Sequence, residues 1–258
     1  KVPQCRSGYT CLKDWYDTTR SIGADAMCGT YQGGGSERAS RIIVKVAQAC
    51  GINPQVILVT LQKEQSLVTH QTPTSDRYRI AMGQGCPDTA GCDVRYYGFF
   101  NQVYGAAWQF KRYANPPGTS QYFTWYAPGK TWNLRFHPNA GCGTSPVYVE
   151  NQATANLYYY TPYQPNAAAL RAGYGLGDSC SAYGNRNFYN YFTDWFGSTE
   201  APYSPLVTGP ARDRAYLLND GYKFPISSPT DLQAFGAALG GLRSVPSSYL
   251  DNLPTRPS

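Results

Sequence analysis

The sequence predicts an α+β fold, and three features of its 258 residues indicate it. Before residue 113, apolar residues recur at the spacing of amphipathic helices. Residues 119–149 are rich in aromatic and β-prone side chains, which is typical of a short β-hairpin. Eight cysteines indicate that disulfides hold the fold together. We therefore expect a mainly α-helical domain with a small β-lobe over residues 1–200 and a small α/β accessory module over residues 206–258.

Helices are expected in the first half of the chain wherever apolar residues repeat at intervals of three and four. They cover residues 37–49, 54–68 and 99–113. Ser36 is suited to cap the first of these helices. Residues 1–36 and the polar stretch 70–79 carry no such repeat, so both are expected to be irregular.

The second half combines short helices with the features of a separate tail. Helices are expected over residues 152–160 and 187–196, and residues 198–205 have the composition of a linker. The tail should then form two strands joined by a turn, followed by one helix. These elements are placed at 215–218, 219–221, 223–226 and 229–238.

The second helix carries the most informative residue of the chain, Glu64. Asn53 is a good N-cap and Pro54 suits the first helical position, so the helix should begin there. Ile57, Leu61 and Glu64 then fall on one face. A carboxyl group on an apolar face without a partner holds its proton more firmly, as a general acid for glycosidic cleavage requires. The alternative is a glutamate at a helix end that pairs with a nearby cation or turns out to solvent.

Acidic residues are scarce, which makes each of them more notable. The chain has four glutamates, and between Arg38 and Val149 the only acids are Glu64, Asp76, Asp88 and Asp93. Charged residues make up 15% of the chain, while tyrosine alone contributes 23 residues. Tyrosine combines an apolar face with a hydroxyl group, so it suits stacking on sugar rings, although it also serves core packing.

The cysteines indicate an oxidising compartment. An even count without a C-x-x-C motif, together with only two histidines, favours four disulfides over a zinc site. Cys86 and Cys92 should close a small loop. Sequence does not fix the other pairs, for which we expect Cys5–Cys11, Cys28–Cys50 and Cys142–Cys180.

Charge and hydropathy limit the partners. The net charge of +6 favours an anionic partner such as a cell wall, but no dense Lys/Arg cluster indicates nucleic acid. No apolar run approaches about 20 residues, so no membrane span is expected. The chain opens at Lys1 without a methionine or signal segment, which we interpret as the mature part of an exported protein. We expect it to be a monomer.

Other reaction classes lack the residues they need. His70 and His137 lie in polar loops without a nucleophile-elbow motif, which disfavours a serine-hydrolase triad. An even number of cysteines disfavours a catalytic thiol. No glycine loop of the phosphate-binding type is present. We expect no metal and no cofactor, and Glu64 is the best catalytic candidate.

The order of motifs resembles the lysozyme-like superfamily, and more narrowly the bacterial endo-β-N-acetylglucosaminidases of glycoside hydrolase family 73. The resemblance covers about residues 38–165. It depends on a helix that ends in a glutamate, a glycine-rich turn with Asp and Cys nearby, a Trp/Arg-containing aromatic stretch and a following Tyr-containing segment. These motifs stand at residues 61–66, 82–88, 131–138 and 147–153. The chain also resembles exported actinobacterial proteins described as haemagglutinin-like.

The resemblance implies a wall-associated hydrolase that cleaves β-1,4 bonds of peptidoglycan glycan strands, as a glucosaminidase or a muramidase. Glu64 would protonate the leaving oxygen, and Asp88 would activate water or stabilise charge, with Glu150 and Asp93 as alternatives. Without a second carboxylate, the substrate's N-acetyl group or an internal hydroxyl would attack. The expected substrate-binding residues near the cleft are Gln84, Tyr122, Trp125, Tyr126, Tyr148, Glu150 and Gln152. The alternative function is glycan binding or adhesion without cleavage.

Overall fold

The computed structural model describes residues 4–87, 90–197, 199, 205–219, 222–239 and 241–256. Contacts divide the chain into a larger unit that ends at Phe188 and a smaller unit from Tyr189 onward. The division falls inside a helix, whereas composition placed the linker at residues 198–205. Most of that predicted linker lies outside the described residues.

The larger unit is mainly helical, with two small antiparallel sheets. Its helices are α1 (Ala39–Cys50), α2 (Pro54–Gln65), α3 (Ser75–Arg79), α4 (Phe99–Arg112), α5 (Gln152–Tyr160), α6 (Ala167–Arg171) and the start of α7 (Gly184–Phe196). Its strands are β1 (Tyr16–Thr19) paired with β2 (Gly35–Arg38), and β3 (Lys130–Arg135) paired with β4 (Thr144–Val149). The expected mixed α+β class and the hairpin within residues 119–149 are confirmed.

The core of the larger unit lies between α1, α2 and α4. Ile42, Ile57, Leu61 and Phe99 are buried there, together with Val103. These positions recur at intervals of three and four along their helices, so each helix turns one apolar face inward. Burial of that stripe stabilises the helices more than their intrinsic propensities do.

Helix α2 begins where the sequence predicts. The Asn53 side chain accepts a hydrogen bond of 2.9 Å from the backbone N–H of Gln55, and Pro54 is the first helical residue. The helix ends at Gln65 because Ser66 adopts a left-handed conformation with φ 56°. Its end is therefore three residues earlier than the predicted Val68.

Four local expectations were wrong. Ser36 does not cap α1, because it lies in β2 opposite Thr18, and α1 begins at Ala39 after Arg38. Residues 1–36 contain strand β1 and the start of β2, so they are not wholly irregular. The polar stretch 70–79 includes helix α3, and α7 begins at Gly184 rather than at 187. In the first case, pairing between distant strands overrides the local capping preference.

The smaller unit contains the rest of α7, followed over its described residues by a mixed sheet and two further helices. These later elements are β5 (Leu206–Thr208), β6 (Ala215–Asn219), β7 (Tyr222–Ile226), α8 (Pro229–Leu239), β8 (Arg243–Ser244) and α9 (Ser247–Asp251). The sheet order is β7-β6-β5-β8, with β5 and β8 parallel. The two predicted strands and the helix are confirmed, whereas β5, β8 and α9 were not anticipated. Two residues of the predicted turn, 220 and 221, lie outside the described residues.

All eight cysteines form disulfides. The pairs are the expected ones: Cys5–Cys11, Cys28–Cys50, Cys86–Cys92 and Cys142–Cys180. Across the described residues, no helix combines the length and apolar character needed to span a bilayer.

A buried carboxylate, Glu37, ties β2 to α1. Its Oε1 accepts hydrogen bonds from Lys45 Nζ at 2.5 Å and Arg41 Nε at 3.2 Å. Its Oε2 accepts hydrogen bonds from Thr19 Oγ1 at 2.6 Å and the Tyr31 hydroxyl at 2.8 Å. Burial alone raises the pKa of Glu37, but these donors outweigh it and lower the pKa from 4.5 to about 2.

We expect the Glu37 network to make the protein sensitive to acid. Because the folded pKa is lowered, the stabilisation is present above pH 4.5 and is lost as the pH falls towards 2. The shift corresponds to roughly 3 kcal/mol. Urea unfolding at pH 6 and pH 3 should show a larger loss of unfolding free energy for wild type than for Glu37→Gln. Equal losses in the two proteins would contradict this assignment.

Candidate functional site

A cleft of about 920 Å³ opens in the larger unit, beside the end of α2. This volume suits a small ligand or a few sugar rings. Its walls come from the end of α2, the turn after α3, one face of α4, the loop after β3, the end of α5 and the start of α7. The lining includes Lys63, Glu64, Met82, Gly83, Gln84, Gln109, Tyr113, His137, Tyr159, Tyr160, Thr161, Tyr163, Tyr183 and Asn187.

Glu64 lies at the rim of the core, where the apolar face of α2 meets the cleft. Leu61 and Ile57, one and two turns earlier, are fully buried, whereas the Glu64 side chain is 27% exposed. Its Oε1 contacts Lys63 Nζ at 2.9 Å. Glu64 is therefore not an unpaired carboxylate, and the contact matches the cation-paired alternative that the sequence left open.

The turn after α3 passes directly against the other oxygen of Glu64. Gly83 has φ 71°, and a Cβ atom at this position would stand 3.3 Å from Glu64 Oε2. Glycine thus permits both the left-handed conformation and the close approach. Gly85 also has φ 71°, and a Cβ atom there would overlap the ring of Tyr96.

A buried amide side chain, Gln102 on α4, fixes this turn. Its Oε1 accepts hydrogen bonds from the backbone N–H groups of Met82 at 3.0 Å and Gln84 at 3.1 Å. Its Nε2 donates to the carbonyl oxygens of Gln84 and Tyr96, both at 2.8 Å. One neutral side chain therefore satisfies four backbone groups and sets where the turn lies relative to Glu64.

Tyr160, at the end of α5, lines the cleft and contacts the turn after α3. Its hydroxyl donates to the carbonyl oxygen of Met82, and its ring stacks on Phe110 with centroids 4.8 Å apart. Burial raises the pKa of Tyr160 well above its ordinary value, and the nearby charge of Glu64 adds to this effect. Tyr160 therefore stays protonated and remains a donor to the turn.

The chain after Tyr160 is anchored by two more amide side chains. Asn185 Nδ2 donates to the carbonyl oxygens of Thr161 at 2.8 Å and Tyr163 at 3.0 Å. Gln164 Nε2 donates to the carbonyl oxygens of Leu134 at 2.9 Å and Ser145 at 3.0 Å, one in each strand of the hairpin. These bonds hold the cleft wall against both α7 and the β3–β4 hairpin.

Glu64 is the only carboxylate among the described residues that line the cleft. Asp88, the expected partner, lies outside the described residues, two positions after Cys86. Asp93 caps a short helical turn and pairs with Arg95 at 2.6 Å, and Glu150 is exposed. Neither Asp93 nor Glu150 belongs to the described lining.

Of the expected substrate-binding residues, only Gln84 lines the described cleft, and it is 8% exposed. Tyr122, Trp125 and Tyr148 are 77%, 67% and 57% exposed on the β-lobe and its preceding loop. Tyr126 is half-buried, with its ring centroid 5.1 Å from that of Tyr159. Gln152 is exposed and donates to Asn156 at 2.8 Å. The β-lobe thus presents its aromatic residues outside the described cleft.

Several cleft residues were missed by sequence reasoning. His137 lines the cleft, and its Nδ1 accepts a hydrogen bond of 3.1 Å from the backbone N–H of Asn139. Lys63, Tyr160 and Thr161 also lie there. Lys63 could have been predicted as a cleft residue because it is next to Glu64 in the sequence. No neighbouring residue indicates that Tyr160 or Thr161 lies in the cleft. Over the described part of the chain, no three His, Cys, Asp or Glu residues are grouped to hold a metal ion.

No protein-family model, curated protein or solved structure matches this chain. The chemical interpretation of the cleft therefore depends on its own residues.

We expect Gln102→Leu to destabilise the protein by at least about 3 kcal/mol, because it leaves buried N–H and C=O groups of the turn without partners. Gln71→Leu is the matched control, since it makes the same change at an exposed glutamine. The free energy of unfolding in urea measures both effects. If Gln102→Leu is no less stable than Gln71→Leu, the turn does not depend on this side chain.

Proposed function

We propose that this protein is an exported peptidoglycan hydrolase that cleaves β-1,4 glycosidic bonds of the glycan strand, with Glu64 as the general acid. The observation that carries the proposal is the position of Glu64. Its carboxyl group reaches the cleft from the end of a core helix, with Oε2 against the glycine turn. A carboxyl group held at the wall of a cleft, where it can pass a proton to a bound glycan, is what cleavage of a glycosidic bond requires.

The chemistry of the cleft suits a glycan. Five tyrosines line it, and tyrosine offers both a ring for stacking on sugars and a hydroxyl group for bonding to them. These are Tyr113, Tyr159, Tyr160, Tyr163 and Tyr183. The net charge of +6 favours an anionic wall as the partner.

In the proposed reaction, Glu64 donates its proton to the glycosidic oxygen as the carbon–oxygen bond breaks, and the bonding electrons stay with that oxygen. A nucleophile must then reach the sugar carbon. Asp88 remains a candidate to activate water, since Pro87, the residue before it, lines the cleft. Attack by the N-acetyl group or an internal hydroxyl of the substrate is the alternative.

Membership of the lysozyme-like superfamily and secretion belong to the same proposal. A mainly helical unit with a glutamate-ending helix, a glycine turn and a small hairpin supports the first. Four disulfides support the second, because disulfides persist in oxidising compartments. We propose that the protein acts as a monomer.

Glycan binding without cleavage is the second candidate. Two observations favour it: the Lys63–Glu64 contact of 2.9 Å and the exposure of Tyr122 and Trp125. Exposed aromatic side chains suit sugar binding outside a cleft. Retention on purified walls without release of reducing ends would favour this candidate over the hydrolase.

We expect Glu64→Gln to lower the release of reducing ends from purified bacterial walls by about 100-fold or more, because the amide cannot donate the proton. Asp76→Asn is the matched control. It makes the same acid-to-amide change at an exposed residue whose ion-pair partner is Arg79. Equal activity of Glu64→Gln and wild type would refute the role of Glu64.

Gly83→Ala tests the contact between the turn and Glu64. The added Cβ would stand 3.3 Å from Glu64 Oε2, so we expect kcat to fall by about 10-fold. Gly129→Ala is the control, since Gly129 also has positive φ, at 77°, but has no atom within 4 Å of the added Cβ. Both changes should cost about 1 kcal/mol in backbone strain. A similar loss of kcat in both variants would show that strain alone is responsible.

A further inference from the structure

Lys63 is an unusually buried cation at the wall of the cleft. Its side chain is 6% exposed, although it lies only two residues from the end of α2. A buried ammonium group is costly unless it is paired and hydrogen-bonded. Its Nζ contacts Glu64 Oε1 at 2.9 Å, donates to Thr161 Oγ1 at 2.7 Å and lies 5.4 Å from the ring centroid of Tyr160.

The helix itself does not produce the contact between Lys63 and Glu64. Consecutive side chains on a helix point about 100° apart and do not normally face each other. Thr161, which is 98 residues away in sequence, provides the second partner of Lys63 Nζ. A tertiary contact with the cleft wall therefore sets the direction of the lysine side chain.

Thr161 is itself held in place. Its backbone N–H donates to Leu157 at 2.8 Å, and its carbonyl oxygen accepts from Asn185 at 2.8 Å. Gly184 leaves the required space, because a Cβ atom there would stand 2.8 Å from Thr161 Cγ2 and 3.6 Å from Lys63 Nζ. A continuous series of contacts thus runs from α7 through Thr161 and Lys63 to Glu64.

We propose that Lys63 is a positioning residue for Glu64, and that Thr161 acts on Glu64 through Lys63. This inference rests on the proposed hydrolase function. Lys63 holds Oε1, so that Oε2 is the oxygen that faces the glycine turn and carries the donated proton.

The same contact aids the step itself. The step starts from protonated Glu64, which takes its proton from solvent before each turnover. When Glu64 passes this proton to the glycosidic oxygen, the neutral acid becomes a carboxylate. The ammonium group beside Oε1 stabilises the negative charge as it develops in the transition state. Loss of Lys63 should therefore lower kcat, whereas substrate binding by the rest of the cleft should change little.

A double-mutant cycle on wall-derived glycan fragments tests the proposal, with circular dichroism melting to confirm folding. Lys63→Met should lower kcat by about 30-fold and leave KM within about 3-fold of wild type. Thr161→Val should lower kcat by about 5-fold, and Thr161→Ser, which keeps the hydroxyl group, should remain near wild type. In the Lys63→Met background, Thr161→Val should have no further effect, because its route to Glu64 is already lost. Lys63→Arg should recover part of the activity.

If Thr161→Val lowered kcat equally in the wild-type and Lys63→Met backgrounds, the proposal would be overturned. A Lys63→Met variant that differs from wild type only in KM would also overturn it.

Lysine labelling by an acetylating reagent, mapped by mass spectrometry, gives a second test that does not require activity. Lys63 should react at least about 10-fold more slowly than exposed Lys130 and faster in Thr161→Val than in wild type. If Lys63 were labelled as fast as Lys130, the proposed anchoring of Lys63 by Thr161 would be overturned. Protected Lys63 in a wild-type protein that releases no reducing ends would contradict the hydrolase function and, with it, this catalytic role.

Discussion

The hydrogen bonds of one buried amide, Gln102, determine the shape of the candidate site. Its carboxamide group accepts from two backbone N–H groups and donates to two carbonyl oxygens across the turn after α3. That turn uses left-handed glycines, which have no preferred conformation of their own. The turn depends on Gln102 to fix its place, and the approach of Gly83 to Glu64 depends on the turn.

Neutral amides perform the same task elsewhere in this charge-poor chain. Asn185 holds the cleft wall to α7, and Gln164 ties the same wall to both strands of the hairpin. A neutral amide loses less hydration on burial than an ion does, and it offers both donors and acceptors to backbone groups. Charged groups are buried where several partners meet, as at Glu37 and at Lys63 beside Glu64.

Residues that act locally were predictable from the sequence. Asn53 and Pro54 marked the start of α2, and Ile57 and Leu61 showed which face is buried, so Glu64 was placed correctly at the rim of the core. The disulfide pairs join cysteines that are consecutive in the chain. The prediction that Ser36 caps α1 was wrong because Ser36 pairs with β1, and that pairing depends on residues 16–19.

Residues that act at a distance were not predictable. Nothing near Thr161 indicates that it bonds Lys63, 98 residues earlier, and nothing near Tyr160 indicates that it reaches Met82. The aromatic lobe shows the same limit. Composition suggested sugar binding for Tyr122 and Trp125 but could not show that both are exposed and outside the described cleft lining.

The most direct measurement is a crystal structure of the Glu64→Gln protein with a short peptidoglycan glycan fragment. We expect sugar rings in the cleft, with a glycosidic oxygen about 3 Å from the side chain at position 64. Fragments bound only on the exposed aromatic residues of the β-lobe, with the cleft unoccupied, would contradict it.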